Sequence, residues 1–316
     1  MTCTVLRTIA DLEAIAEEWK ALWRRAPNAT PFQSPMWLLP WWHRFGGQEL
    51  HAVAVRNTDE LTALAPLYIL REDDESLGLL LGTGVSDYLD ILGKDGSDVT
   101  AAIAAADCQL WDLQQLRPSS PLLAAPAPDG FTESTEEQDR CPILPLEGEL
   151  LSTHARKKLR YYRRVLEREA PVLYESATEG NLDELLTALY ELHAARWRQR
   201  NLPGVLADHI IQSFHREVAR AMLAENTLRM YAIRIGERIA AVFYGFSHQG
   251  TTYYYLSGYD PAYEKRSIGN VLVAHAIEEA VREGAHTFDF LRGAEEYKYA
   301  WGAQDRMNRR RMLIRS

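Results

Sequence analysis

Apolar positions along the chain change repeatedly between helical and strand spacing. In residues 11–25, Leu12, Ile15, Ala16, Trp19, Leu22 and Trp23 recur at helical spacing, with Thr8 or Asp11 placed to cap the start. A turn-rich link at residues 30–35 leads into an aromatic helix with Trp37, Trp41, Trp42 and Phe45, which Gly46-Gly47 would end. Strands are expected at 51–55 and 61–70, and another leads to Gly82-Thr83-Gly84. An Ala-rich helix (99–106) and a strand (108–113) complete a mixed α/β unit. Six prolines, Pro118, Pro121, Pro126, Pro128, Pro142 and Pro145, then mark residues 118–150 as a connector.

The second half opens with Ser152 as a cap and a basic helix at 155–169. A strand at 172–176 and helices at 181–200 and 208–224 follow. An antiparallel meander is expected at 228–235, 238–247 and 250–258, turning at Gly236-Glu237 and at His248-Gln249-Gly250. A short strand at 287–291 and a last one at 307–314 end the pattern. The expected organisation is residues 1–117, the connector 118–150, and residues 151–316. Both parts run helix first and meander second, which suggests duplication of one fold.

With 316 residues, 47% hydrophobic and 25% charged, the chain suits a soluble α/β protein of two domains. Its net charge of −9 argues against a general DNA or membrane binder. Cys3, Cys108 and Cys141 have no paired spacing and the histidines form no ligand-like cluster, so no metal is expected. An acidic start and the lack of a long apolar run point to the cytoplasm and to no membrane span.

Chemistry concentrates in residues 251–302. An aromatic strand (Tyr253, Tyr254, Tyr255, Leu256, then Ser257) leads to Lys265 and Arg266, and Ser267-Ile268-Gly269-Asn270 opens a helix. Free amides at a helix start suit a phosphate, and Gly269 permits close backbone approach, so this is a candidate acyl-CoA site. Equally, Ser267 could simply cap the helix. Asp289 stands between Phe288 and Phe290, where burial would raise its pKa toward that of a general base; a salt bridge to Arg292 or Arg266 is the alternative. Tyr297 and Trp301 share a helical face and could equally pack.

These stretches resemble the GNAT superfamily, and the whole chain resembles FemAB-like, CelD-type (cellulose-biosynthesis-associated) tandem-GNAT acyltransferases. The likeness is carried by TPFQSPMWLLPWW (30–42), SDYLDIL (86–92), HARKKLRYYRRVLERE (154–169), YYYLSGYDPAYEKRSIGN (253–270) and FDFLRGAEEYKYAWGA (288–303). In the phosphate loop, Arg266 and Gly269 match the family pattern and Val271 stands where a small residue is usual. The resemblance implies two lobes, each a mixed, mostly antiparallel twisted sheet flanked by helices, with acyl-CoA bound by the second. It implies a strand around Tyr255, Leu256 and Ser257 that splays from its neighbour and pairs with the donor, and pyrophosphate on Arg266, Ser267, Ile268, Gly269 and Asn270. It also implies that Tyr297, with Tyr299 as runner-up, protonates the leaving thiolate, that Lys298 meets a donor phosphate or acceptor carboxylate, and that Asp87, Tyr88 and Arg292 bind the acceptor.

The leading expectation is an N-acyltransferase moving an acyl group from acetyl-CoA or another acyl-CoA to a small-molecule, sugar or peptide amine by direct attack. An aminoacyl-tRNA-dependent transferase is the alternative, for which the basic helix would hold tRNA. A decayed binding module is a third.

Overall fold

The computed structural model describes residues 2–94, 96–147, 153–168, 170–199 and 201–316. It divides into two compact units, Met1–Cys141 with Arg306–Ser316, and Pro142–Asp305. The first contains β1 (Thr2–Leu6), α1 (Ile9–Ala14), α2 (Ala16–Arg25), α3 (Pro35–Phe45), β2 (Glu49–Leu50), β3 (Ala52–Asn57), β4 (Glu60–Ala65), β5 (Leu67–Glu72), β6 (Glu75–Leu80), α4 (Ser97–Ala105), β7 (Leu110–Leu116) and α5 (Pro121–Ala124). Strand β8 (Phe131–Pro145) begins in the first unit, and its residues 142–145 belong to the second. The second continues with α6 (Thr153–Glu167), β9 (Val172–Ser176), α7 (Leu182–Arg198), α8 (His209–Ala224), β10 (Leu228–Ile235), β11 (Arg238–His248), β12 (Thr251–Tyr259), α9 (Ile268–Arg282), β13 (Thr287–Asp289) and α10 (Glu296–Tyr299). The last strand, β14 (Gln304–Arg315), returns to the first unit.

In the first unit, β1, β3 and β4 form one antiparallel sheet, and β5, β6, β7 and β14 are neighbours in a second. Thr8 caps α1 through a reciprocal pair with Asp11. The two family-like stretches of this unit are tied to each other. Gln33 Nε2 donates to the Tyr88 carbonyl at 3.0 Å, and Trp37 Nε1 donates to Ser86 Oγ at 2.9 Å. Asp87 is 9% exposed and Tyr88 is fully buried, with the Arg117 and Arg306 guanidiniums 5.7 and 5.0 Å from its ring centre. The expectation that Asp87 and Tyr88 meet the acceptor is therefore corrected. Their loop is buried by the aromatic helix it locks in place.

Asp90, on the same loop, is buried, and its carboxyl is pushed up to about 6 by burial, against the opposing pull of Ser120 and Arg117. A carboxyl whose folded pKa lies above its ordinary value stabilises the fold when protonated, and that stability is lost as pH rises from about 4 through 6. Going from pH 7.5 to 4, wild type should gain about 2.5 kcal/mol relative to Asp90→Asn, measured by urea unfolding. A constant gap between the two proteins would contradict this.

The expected connector carries the short helix α5 and the long strand β8. Much of β8 is exposed and acidic, without alternating apolar residues. Its ladder is signed by charge instead: Arg309, Arg310 and Arg311 of β14 pair with Glu137, Glu136 and Glu133. Ser152, the expected cap of α6, lies outside the described residues.

In the second unit, β10 lies between β9 and β11, all antiparallel, and β11 pairs with β12. Central β11 is buried along most of its length, as a strand covered on both faces must be. Tyr231, Ile233 and Phe243 join α9 and Leu166 of α6 in one core, while Tyr244 on the opposite face meets His215 of α8. Helix α7 lies directly on β12. A Cβ on Gly258 would come within 2.8 Å of the His193 amide nitrogen, so only glycine fits there.

Candidate active site

Strands β12 and β13 run parallel but pair only at Thr251–Thr287, Thr252–Phe288 and Tyr253–Asp289. There β13 ends, and Leu291, at φ 57°, turns the chain away. Strand β12 continues to Tyr259. Along residues 254–258 its edge on this side is unmatched by β13, and backbone donors and acceptors on such an edge are ready to pair with an extended ligand. On the other edge, an extra residue shifts the ladder: Tyr244 pairs with Leu256 but Gly245 pairs with Tyr254. A regular strand would put Tyr254 and Ser257 on opposite faces. This bulge brings them to one face, with Tyr254 Oη and Ser257 Oγ 2.5 Å apart.

Helix α9 starts beside this edge. Ser267 sits at its N-terminus with φ 54° and ψ 39°, and no side chain caps the helix. The left-handed conformation is strained for serine. The Asn270 and Val271 amides bond to the Ser267 carbonyl, leaving those of Ile268 and Gly269 as the first uncapped donors. A helix N-terminus carries partial positive charge and attracts anions.

A cavity of about 240 Å3 joins these features. Tyr254, Ser257 and Tyr259 line it from β12, and Ser267, Gly269, Asn270 and Val273 from the α9 start. Arg196, Glu264 and Tyr297 complete the wall. Tyr297 is hydrogen-bonded to Tyr254, so three hydroxyls run in series to Ser257. Burial, then the neighbouring Tyr254, pushes the Tyr297 phenol well above its ordinary value. Burial also raises Tyr254. Both hydroxyls therefore keep their protons at neutral pH, so they offer hydrogen-bond donors and not bases.

Of the residues singled out from sequence, Ser257, Ser267, Gly269, Asn270 and Tyr297 line the cavity. Ile268 offers its amide, while its side chain is fully buried in the core. Tyr255 faces away, with its ring against His215, Tyr244 and Phe246. Leu256, Arg292 and Asp289 are not among the lining residues. Asp289 is 1% exposed, and its carboxylate accepts from the Leu291 amide at 2.9 Å, holding the turn that ends β13. Arg266 folds back on its own 3-10 turn, donating to the Ala262 carbonyl at 2.9 Å with its guanidinium 5.3 Å from the Tyr263 ring centre.

Lys298 is also corrected. Only 3% exposed, it donates to the carbonyls of Arg292 at 2.8 Å and Gly293 at 3.0 Å and pairs with Glu295 at 2.9 Å. Its ammonium is committed to the loop before α10. Sequence reading passed over Arg196 and Glu264 as site residues. The available signal for Arg196 was its i to i+3 spacing from His193, the residue whose helix turn rests on Gly258.

No helix among the described residues is long and apolar enough to cross a membrane. No group of three or more His, Cys, Asp or Glu among them could hold a metal ion.

Residues 153–299 match the acetyltransferase (GNAT) domain family, so the second unit carries a GNAT domain. Along its whole length the chain has a fold like those of solved FemX and tandem-GNAT structures. It is similar in structure to FemX, at TM-score 0.69 and 11% identity, over 98% of this chain and 97% of that one. It is similar to L-PGS from Bacillus licheniformis, at TM-score 0.61 and 14% identity over 95% and 91%, and to a tandem GNAT protein from the clavulanic acid biosynthesis pathway, at 0.50 and 12% over 98% of each. No curated protein matches the chain in sequence.

Proposed function

We propose that the second unit is an N-acyltransferase that takes an acyl group from acetyl-CoA or another acyl-CoA and places it on an amine. The observation that carries this is the open edge of β12 at residues 254–258 beside the uncapped amides of α9. The pantetheine amides of the donor would pair with that edge, and its pyrophosphate would lie on the Ile268 and Gly269 amides. The amine nitrogen attacks the thioester carbonyl; the C–N bond forms and the C–S bond breaks. Tyr297 gives its proton to the departing thiolate and is reprotonated through Tyr254 and Ser257, while the amine's proton leaves to water. Asp289 is not assigned the base role, because its carboxylate holds the β13 turn. The acceptor is an amine on a small molecule, sugar or peptide, and the setting is the cytoplasm, in keeping with three free cysteines.

Tyr297→Phe should lower kcat by about 100-fold or more while the KM for acyl-CoA stays within about twofold. An unchanged kcat would remove Tyr297 from the mechanism.

A second reading, aminoacyl transfer from tRNA, draws on the outward face of α6. There Lys157, Arg160, Tyr161, Arg164 and Arg168 line a groove of about 300 Å3. Arg163 is not part of it, being paired with Glu278 of α9 at 2.7 Å. Bulk tRNA that binds and displaces acetyl-CoA would favour this reading; acetyl-CoA binding indifferent to tRNA favours the first.

A further inference from the structure

We infer that Arg196 supplies the cation of the donor's phosphate subsite, the part that resemblance alone gives to Arg266. The inference rests on the acyl-CoA reading above and adds a residue from a different helix to it. Arg196 extends from the end of α7 into the cavity, where its guanidinium lies 4.9 Å from the centre of the Tyr259 ring. The same ring is the nearest neighbour of Gly269, 3.4 Å from where a Cβ on that glycine would stand. Tyr259 thus has Arg196 on it and the first turn of α9, at Gly269, beside it. Arg196, Ser267 and Gly269 line one cavity, so an anion on the Ile268 and Gly269 amides would share that cavity with this guanidinium.

The charge of Arg196 is unspent. Its Nε is buried without a hydrogen-bond partner, and no ion pair to it occurs among the described residues. A guanidinium at a cavity wall without a carboxylate partner keeps its charge available for a phosphate, which it can meet with charge-assisted hydrogen bonds. The cation–π contact with Tyr259 restrains the guanidinium before the ligand arrives, so less freedom is lost on binding. The neighbouring cations are engaged elsewhere: Arg266 bonds its own turn and Lys298 holds three backbone or carboxylate oxygens. Glu264, also at the cavity wall, is exposed and free to turn to solvent. Gly258 makes the arrangement possible, because the close seat of α7 on β12 brings Arg196 to the ring one residue further along the strand.

An acceptor carboxylate is the other anion that Arg196 could take, and the test separates the two. Calorimetric titrations of the full chain would use CoA, pantetheine and inorganic pyrophosphate against wild type, Arg196→Gln, Arg196→Lys and Arg266→Gln. Arg196→Gln should weaken CoA and pyrophosphate by about tenfold or more and leave pantetheine within about twofold, with Arg196→Lys in between. Arg266→Gln should leave all three unchanged. Equal binding of CoA and pyrophosphate by wild type and Arg196→Gln would overturn the inference while leaving the donor site intact. So would equal weakening of pantetheine, which would mark a structural role. Wild type that binds none of the three would overturn the acyl-CoA reading itself.

Discussion

Gly269→Trp protein should fold as wild type does and lose acyl-CoA affinity by about 100-fold or more. Gly269 is not in the left-handed region, and a Cβ there would make only a 3.4 Å contact with the flexible ring of Tyr259. The backbone therefore tolerates a side chain, and what suffers is the cavity, where an indole would stand over the amides that receive the pyrophosphate. Two hydrogen bonds to a charged acceptor contribute about 3–6 kcal/mol together, enough for a loss of 100-fold and beyond. Calorimetry for binding and thermal unfolding for stability separate the two effects. Undiminished affinity in a folded variant would show that the donor lies elsewhere.

Lys298→Met should produce the largest loss of stability, about 2–4 kcal/mol in urea unfolding. Methionine keeps the length of the buried chain but offers no donor to the Arg292 and Gly293 carbonyls. Those groups then stay unpaired beside the residue that precedes Tyr297's helix. Because Tyr297 is next to Lys298 on α10, kcat should also fall while donor affinity changes little. The role expected from resemblance, a phosphate contact, predicts the reverse: stable protein with weakened CoA. A stable, weak-binding variant would reinstate that role.

Much of this architecture was legible because it follows from periodicity. The helix of α7, the β10–β12 meander and the opening of α9 all came from regular spacing and turn residues such as Gln249-Gly250, both at positive φ. Strand β8 was illegible because its exposed acidic face has no apolar alternation, and its partner arginines lie more than 160 residues away, as with Glu133 and Arg311. Charge complementarity between such distant segments leaves no local signature. The site divided in the same way. Local features, the α9 amides and Tyr297, could be read from a single stretch. Arg196 could not, since its place over Tyr259 depends on how closely one helix approaches one strand. Asp289 looked chemical as a carboxyl between two phenylalanines, and Lys298 through resemblance; in the fold each satisfies backbone groups at a sharp turn.

Hydrogen exchange of the full chain with and without acetyl-CoA tests the donor site most directly. Binding along the unmatched edge of β12 predicts slowed exchange confined to residues 254–258 and 267–270, saturable and competed by CoA. Exchange in those two segments that stays the same at millimolar acetyl-CoA, and at millimolar longer acyl-CoAs, would contradict it.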